Sequence, residues 1–122
     1  MNLFFTLLTI TVVLLGLDAI YLYAMRNLFE DQIKAVQGSP LQLNLVGALL
    51  CYILLVGGLY YFIIKDKRSI LDAFLLGILV YGVYGTTNMA IIKKWKYQTV
   101  ITDMIWGGIL FASTTYIIKY IV

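Results

Sequence analysis

Four long apolar stretches, separated by short charged links, leave this chain one kind of solvent. The stretches run from about Leu3 to Tyr23, Leu41 to Ile64, Ile70 to Ile92 and Tyr97 to Ile121. Each is long enough to cross roughly 30 Å of hydrocarbon as a helix. Hydrocarbon offers no partner to an unpaired backbone N–H or C=O, so helix is the state each must take. They are also too long and too evenly apolar for barrel strands, which alternate over about ten residues. Composition agrees: 62% of the 122 residues are hydrophobic and 12% charged, where a water-soluble domain carries about 25% charged. A soluble globule of this size could not hide so much apolar surface. The expected fold class is all-α: one integral membrane domain over residues 1–122, a polytopic, four-transmembrane-helix antiparallel bundle.

Several chemistries drop out. The chain has no histidine and a single cysteine, Cys51. Imidazole acid–base catalysis, His-based metal sites and an intrachain disulfide are therefore excluded. No cofactor loop or metal cluster is visible, so no cofactor and no metal is expected. The net charge of +3 is small and scattered, which argues against nucleic acid as a partner. Basic residues at membrane ends set topology or touch anionic headgroups instead. The first stretch has no basic residue before it and no small-residue cleavage site after it. It is read as a retained span rather than a signal peptide.

The links differ in kind. Lys65-Asp66-Lys67-Arg68-Ser69 and Lys93-Lys94-Trp95-Lys96 are tight basic turns that reverse the chain. The link from about Ala24 to Pro40 is longer and patterned. Met25, Leu28, Phe29, Gln32, Ile33 and Val36 recur at helical spacing, while Arg26, Glu30, Asp31 and Lys34 point elsewhere. That pattern predicts a short amphipathic helix over about 25–37, lying in the interface. Gly38-Ser39-Pro40 ends it, with Pro40 opening the second crossing. Tyrosines and tryptophans cluster near the span ends as an aromatic belt. Four crossings place both termini on one side. That side also holds Lys65, Lys67, Arg68 and Lys119, against Arg26, Lys34, Lys93, Lys94 and Lys96 opposite. The balance is too even for the positive-inside rule to assign an orientation.

An ionisable group inside a membrane span costs a few kcal/mol (about 2.5–3.5 on insertion scales) and needs a reason. Asp72 has an ordinary one, since it sits in the first turn of the third span, where it suits the helix dipole. Asp18 and Asp103 do not. Asp18 lies near the end of the first span and Asp103 near the start of the fourth. Both fall very roughly 7–10 Å below the same bundle end at 1.5 Å per residue. Asn88, near the end of the third span, reaches the same level. Helical spacing groups Thr11, Leu14, Leu15, Asp18, Tyr21 and Leu22 on the first span. On the third span it groups Tyr81, Tyr84, Gly85 and Asn88, with Thr87 beside them. On the fourth it groups Asp103, Trp106, Gly107 and Leu110. Gly77, Gly82, Gly85, Gly107 and Gly108 allow close helix contact.

The polar layer has two readings. In one it is a buried hydrogen-bond network that fixes helix register. In the other it is a pocket built on Asp18, Asn88 and Asp103. Trp106 and Tyr84 roof it, with Thr87 and Tyr21 alongside, and Arg26, Lys93, Lys94 and Lys96 form a basic rim for anionic lipid headgroups. Two acids held close in low dielectric cannot both ionise cheaply, so such a pair can pass protons, bind a cationic group, or serve as acid and base.

These residues also carry a resemblance. Leu17-Asp18-Ala19-Ile20-Tyr21-Leu22, then Thr87-Asn88, Trp95, and Asp103-Met104-Ile105-Trp106-Gly107 follow in order across nearly the whole chain. The arrangement resembles the small four-helix membrane proteins of the domain-of-unknown-function 2177 family. Tyr21 stands where a Trp is usual in that pattern, and Gly85 where an acidic residue commonly precedes the Thr-Asn pair. The resemblance implies the four-span fold and the acidic layer, and supplies no reaction. With no metal cluster, nucleophile–base pair or cofactor loop visible in the sequence, the expected activity is a small binding or transport, or proton- or ion-conducting, unit. The alternatives are a lipid-modifying membrane enzyme or its accessory subunit, and a structural assembly subunit. Expected partners are the bilayer, anionic headgroups and further copies of the chain.

Overall fold

The computed structural model describes residues 2–39 and 44–121. It is all-helical, 87% helix, with no strand among the described residues. Helix α1 spans Leu3–Ala24, α2 Arg26–Gln37, α3 Leu45–Leu59, α4 Ile70–Ile91 and α5 Tyr97–Ile121. A π-wound turn, Tyr60–Ile64, continues α3. The spans Leu3–Ala24, Leu45–Ile64, Ile70–Ile91 and Tyr97–Ile121 are each long and apolar enough to cross a membrane. Pro40, and the start of the second stretch at Leu41, fall outside the described residues.

Local chemistry sets the helix starts. Asn2 accepts from the Phe5 N–H at 2.8 Å, and Asn44 accepts from the Gly47 N–H at 3.1 Å. Ser69 Oγ accepts from the Asp72 N–H at 3.0 Å. Each side chain satisfies an N–H that the first turn leaves unpaired. Asp72 is also held by Arg68 at 3.0 Å. Helix α2 stops where Gly38 takes a left-handed φ of 72° and returns its N–H to Lys34, a conformation that glycine adopts without a Cβ penalty.

Helix α5 is the hub. Of its most apolar window 39% is buried, against 22% in each other span. It packs along α4 and against α1, while α3 leans on α1. The α4–α5 crossing depends on three glycines. A Cβ on Gly107 would stand 2.7 Å from the Gly77 carbonyl oxygen, and one on Gly108 2.8 Å from the Phe74 ring. No side chain fits there, so the two backbones touch. The core gathers Ile10 and Leu14 from α1, Leu59 and Ile63 from the second span, and Leu110, Phe111 and Ile118 from α5. Most other large apolar side chains are exposed, as bilayer-facing ones must be.

Two expectations shift in detail. The buried face of α1 is Thr6, Ile10, Leu14 and Asp18, a strict four-residue spacing. Leu15 and Leu22 are exposed, so the inward face is rotated from the expected Thr11–Leu15–Leu22 side. The second stretch is not uniformly α-helical either: its last turn widens over Tyr60–Ile64, with the Lys65 N–H bonding back to Tyr60 at 2.8 Å.

Candidate functional site: an acid–aromatic layer

Asp18 is 6% exposed, in the last third of α1. Both of its oxygens are occupied. Tyr52 from α3 donates its phenol proton to Oδ2 in a short hydrogen bond. Trp106 from α5 donates its indole N–H to Oδ1 at 2.9 Å. One carboxylate thus joins three spans, and each donor meets the polar partner that a buried Tyr or Trp requires.

Asp103 lies three residues before Trp106 on α5, hence on the same side of that helix. It is half-buried and accepts from the Tyr21 hydroxyl at 3.5 Å, a long contact. Among the described residues its second oxygen has no hydrogen-bond donor. Tyr21 itself stacks on Trp106, ring centroids 4.4 Å apart and 2° from parallel. Phe29 from α2 closes on the Tyr21 ring edge at 5.7 Å. The two acids therefore lie in one layer, connected through a pair of stacked rings.

Other candidates fall elsewhere. Asn88 is half-buried and makes no hydrogen bond to either acid; its carbonyl accepts from Ile92 at 2.7 Å. Thr87 is exposed. Tyr84 is 56% exposed and packs edge-on to Trp95 at 6.3 Å rather than over Trp106. Arg26 bonds the Tyr23 carbonyl at 2.7 Å and lies over the Tyr23 ring at 4.2 Å. Lys93, Lys94 and Lys96 are exposed on the α4–α5 link.

Two contributors escape the sequence reading. Tyr52 had a detectable signal: a phenol about two helical turns into α3 reaches the level of Asp18 by the same depth arithmetic. Gln32 shares the helical spacing of the apolar face of α2, yet it is 1% exposed and makes three hydrogen bonds. Its Nε2 donates to the Lys94 carbonyl at 2.8 Å. Its Oε1 accepts from the Lys96 N–H at 3.0 Å and from the Thr99 hydroxyl at 2.7 Å. This amide clamps α2 onto the α4–α5 link, beside the end of the bundle nearest the acids.

Comparison with known proteins supports the fold and names no activity. Residues 3–120 match the predicted membrane protein family DUF2177; the match covers nearly the whole chain, which belongs to that family. Neither a curated protein nor a solved structure matches it.

Proposed function

We propose that this member of the family is a small membrane-embedded binding or transport unit, in which Asp103 receives a proton or a cationic group. Asp18 is then the fixed inner acid of the same layer. The observation that carries this reading is the asymmetry between the two carboxylates. Asp18 is buried and saturated by Tyr52 and Trp106. Asp103 is half-buried and has one long partner, leaving an oxygen for an incoming group. The stacked Tyr21–Trp106 pair couples the two, since any movement of Tyr21 toward a ligand on Asp103 disturbs the donor to Asp18. An acid on a membrane span marks a pathway or a binding position more often than a scaffold. Four spans put both termini on one side of the bilayer. They enclose little room for a path, so the working form is an assembly of copies.

The test is reconstitution into liposomes with a trapped pH dye, and separately with a permeant organic cation outside. Wild type is expected to dissipate an imposed gradient faster than empty liposomes, and Asp103→Asn to return the rate to that baseline. If wild type and empty liposomes are indistinguishable for both probes, the transport reading fails.

The saturation of Asp18 itself favours a second reading, in which the layer only pins three helices together. Under that reading Asp18→Asn and Tyr52→Phe lower stability, and Asp103→Asn changes nothing measurable.

A further inference from the structure

At the end of the bundle opposite the acid layer, a cleft of about 490 Å³ opens where the start of α1, the end of the second span and the end of α5 meet. Its floor is Tyr60, Ile64 and Ile118, with Thr6 at one wall. Its rim is cationic: Lys65, Lys67 and Lys119. From these observations we infer that the cleft seats the phosphate headgroup of an anionic membrane lipid. The inference is independent of the transport reading, which uses other residues at the other end.

Three features point to that occupant. First, the charge has no acidic partner: the Lys65 ammonium lies over the Tyr61 ring at 4.7 Å, a contact that leaves its charge in place. Among the described residues no carboxylate lies within ion-pair distance of the three lysines. The one acid of the adjoining helix turn that could compete, Asp72, is engaged by Arg68 at 3.0 Å. Asp66 is exposed and does not line the cleft. Lysines that sit near a bilayer surface attract anionic lipid.

Second, the backbone is bent to present them. The π-wound turn Tyr60–Ile64 widens the helix end, and Lys67 then takes a φ of 54°. That left-handed conformation is rare for a residue with a long side chain. The Lys67 N–H bonds Ile64 at 3.1 Å and the Arg68 N–H bonds Ile63 at 2.9 Å, which hold the reversal. These two bonds are the left-handed cap that closes many helix ends, and here the cap fixes Lys67 beside the cleft it lines.

Third, the lining is amphiphilic. Lysine heads stand above isoleucine and tyrosine walls at the ends of membrane spans. A lipid has the same order, phosphate at the surface and glycerol and acyl chains below. A free phosphate would leave the apolar floor uncovered.

The experiment uses the full-length chain in vesicles of equimolar phosphatidylglycerol and phosphatidylcholine. The protein is extracted in mild detergent, and retained lipids are counted by native mass spectrometry. Wild type is expected to retain phosphatidylglycerol over phosphatidylcholine. Each near-surface lysine contributes roughly a fivefold preference, so Lys65→Gln/Lys67→Asn/Lys119→Gln is expected to reduce that preference by about tenfold or more. Asn is chosen at Lys67 because it tolerates the left-handed backbone. Lys119→Gln alone, on an exposed helix surface, is expected to cost about fivefold and covers the case of a misfolded triple variant. Lys34→Gln, on α2 at the far end and outside both lysine sets, is expected to keep the preference. Equal retention of both lipids by wild type overturns the inference, as does loss of preference only in the far-end variant. Displacement of bound phosphatidylglycerol by millimolar inorganic phosphate overturns it too, because the site would then read phosphate alone.

Discussion

Tyr21 and Trp106 lie face to face, 4.4 Å between centroids, and each donates to a different carboxylate: Trp106 to Asp18 and Tyr21 to Asp103. The stack links the two acids side chain to side chain, and it divides the layer into a half with both oxygens engaged and a half with room for a partner.

Removing a donor to Asp18 should cost stability. Tyr52→Phe is expected to lower unfolding free energy by about 0.6–1.7 kcal/mol, the scale found for hydrogen bonds between membrane helices. Asp18→Asn turns an acceptor into an NH2 group facing a donor and should cost at least as much. The double variant should lose less than the sum of the two. A denaturant titration in detergent micelles reads all three.

Asp103→Asn should be nearly silent in the same titration, under about 0.5 kcal/mol, because one long hydrogen bond at a half-buried position is worth little. A cost as large as that of Asp18→Asn would show that the two acids are equivalent, against the asymmetry described.

Alanine at the α4–α5 crossing and alanine at open glycines should have opposite signs. Gly77→Ala and Gly107→Ala place a Cβ against backbone or ring atoms and should destabilise by about 1–3 kcal/mol. Gly16→Ala and Gly57→Ala meet nothing within 4 Å. They should be neutral or gain up to about 1 kcal/mol from helix propensity. Thermal unfolding of the four variants decides it.

Gln32→Leu should free α2. The Lys96 N–H, the Lys94 carbonyl and the Thr99 hydroxyl would each lose a partner, at about 1–3 kcal/mol for a group left buried and unpaired. Hydrogen exchange at the Lys96 amide should accelerate, and protease cleavage near residue 38 should rise. Unchanged exchange would mean that α2 is held by its apolar contacts instead.

The spans and their order were legible because hydropathy reports directly on the solvent. Helices α1, α4 and α5 run over Leu3–Ala24, Ile70–Ile91 and Tyr97–Ile121, while α3 begins at Leu45 behind its Asn44 cap, later than the Leu41 that hydropathy alone suggests. The depth arithmetic also served: Asp18 and Asp103 share a layer with Trp106 and Tyr21 between them. Rotation about each helix axis was less legible. With apolar residues on every face, Leu15 and Leu22 look as inward as Ile10, and only packing separates them. Tyr84 and Asn88 illustrate the same limit: Tyr81 and Gly85 of their stripe pack on α5, whereas Tyr84 is exposed and Asn88 is half-buried with no hydrogen bond to either acid. Gln32 was unreadable for another reason. Its burial depends on backbone groups of a link more than sixty residues away, and no local pattern encodes such a partner.

That clamp orders events during synthesis. Every group that Gln32 bonds lies at or beyond Lys94, so the amide emerges from the ribosome long before any of its partners exists. The first half of the protein must wait in the membrane with α2 unfastened, and the arrival of the last hairpin closes it.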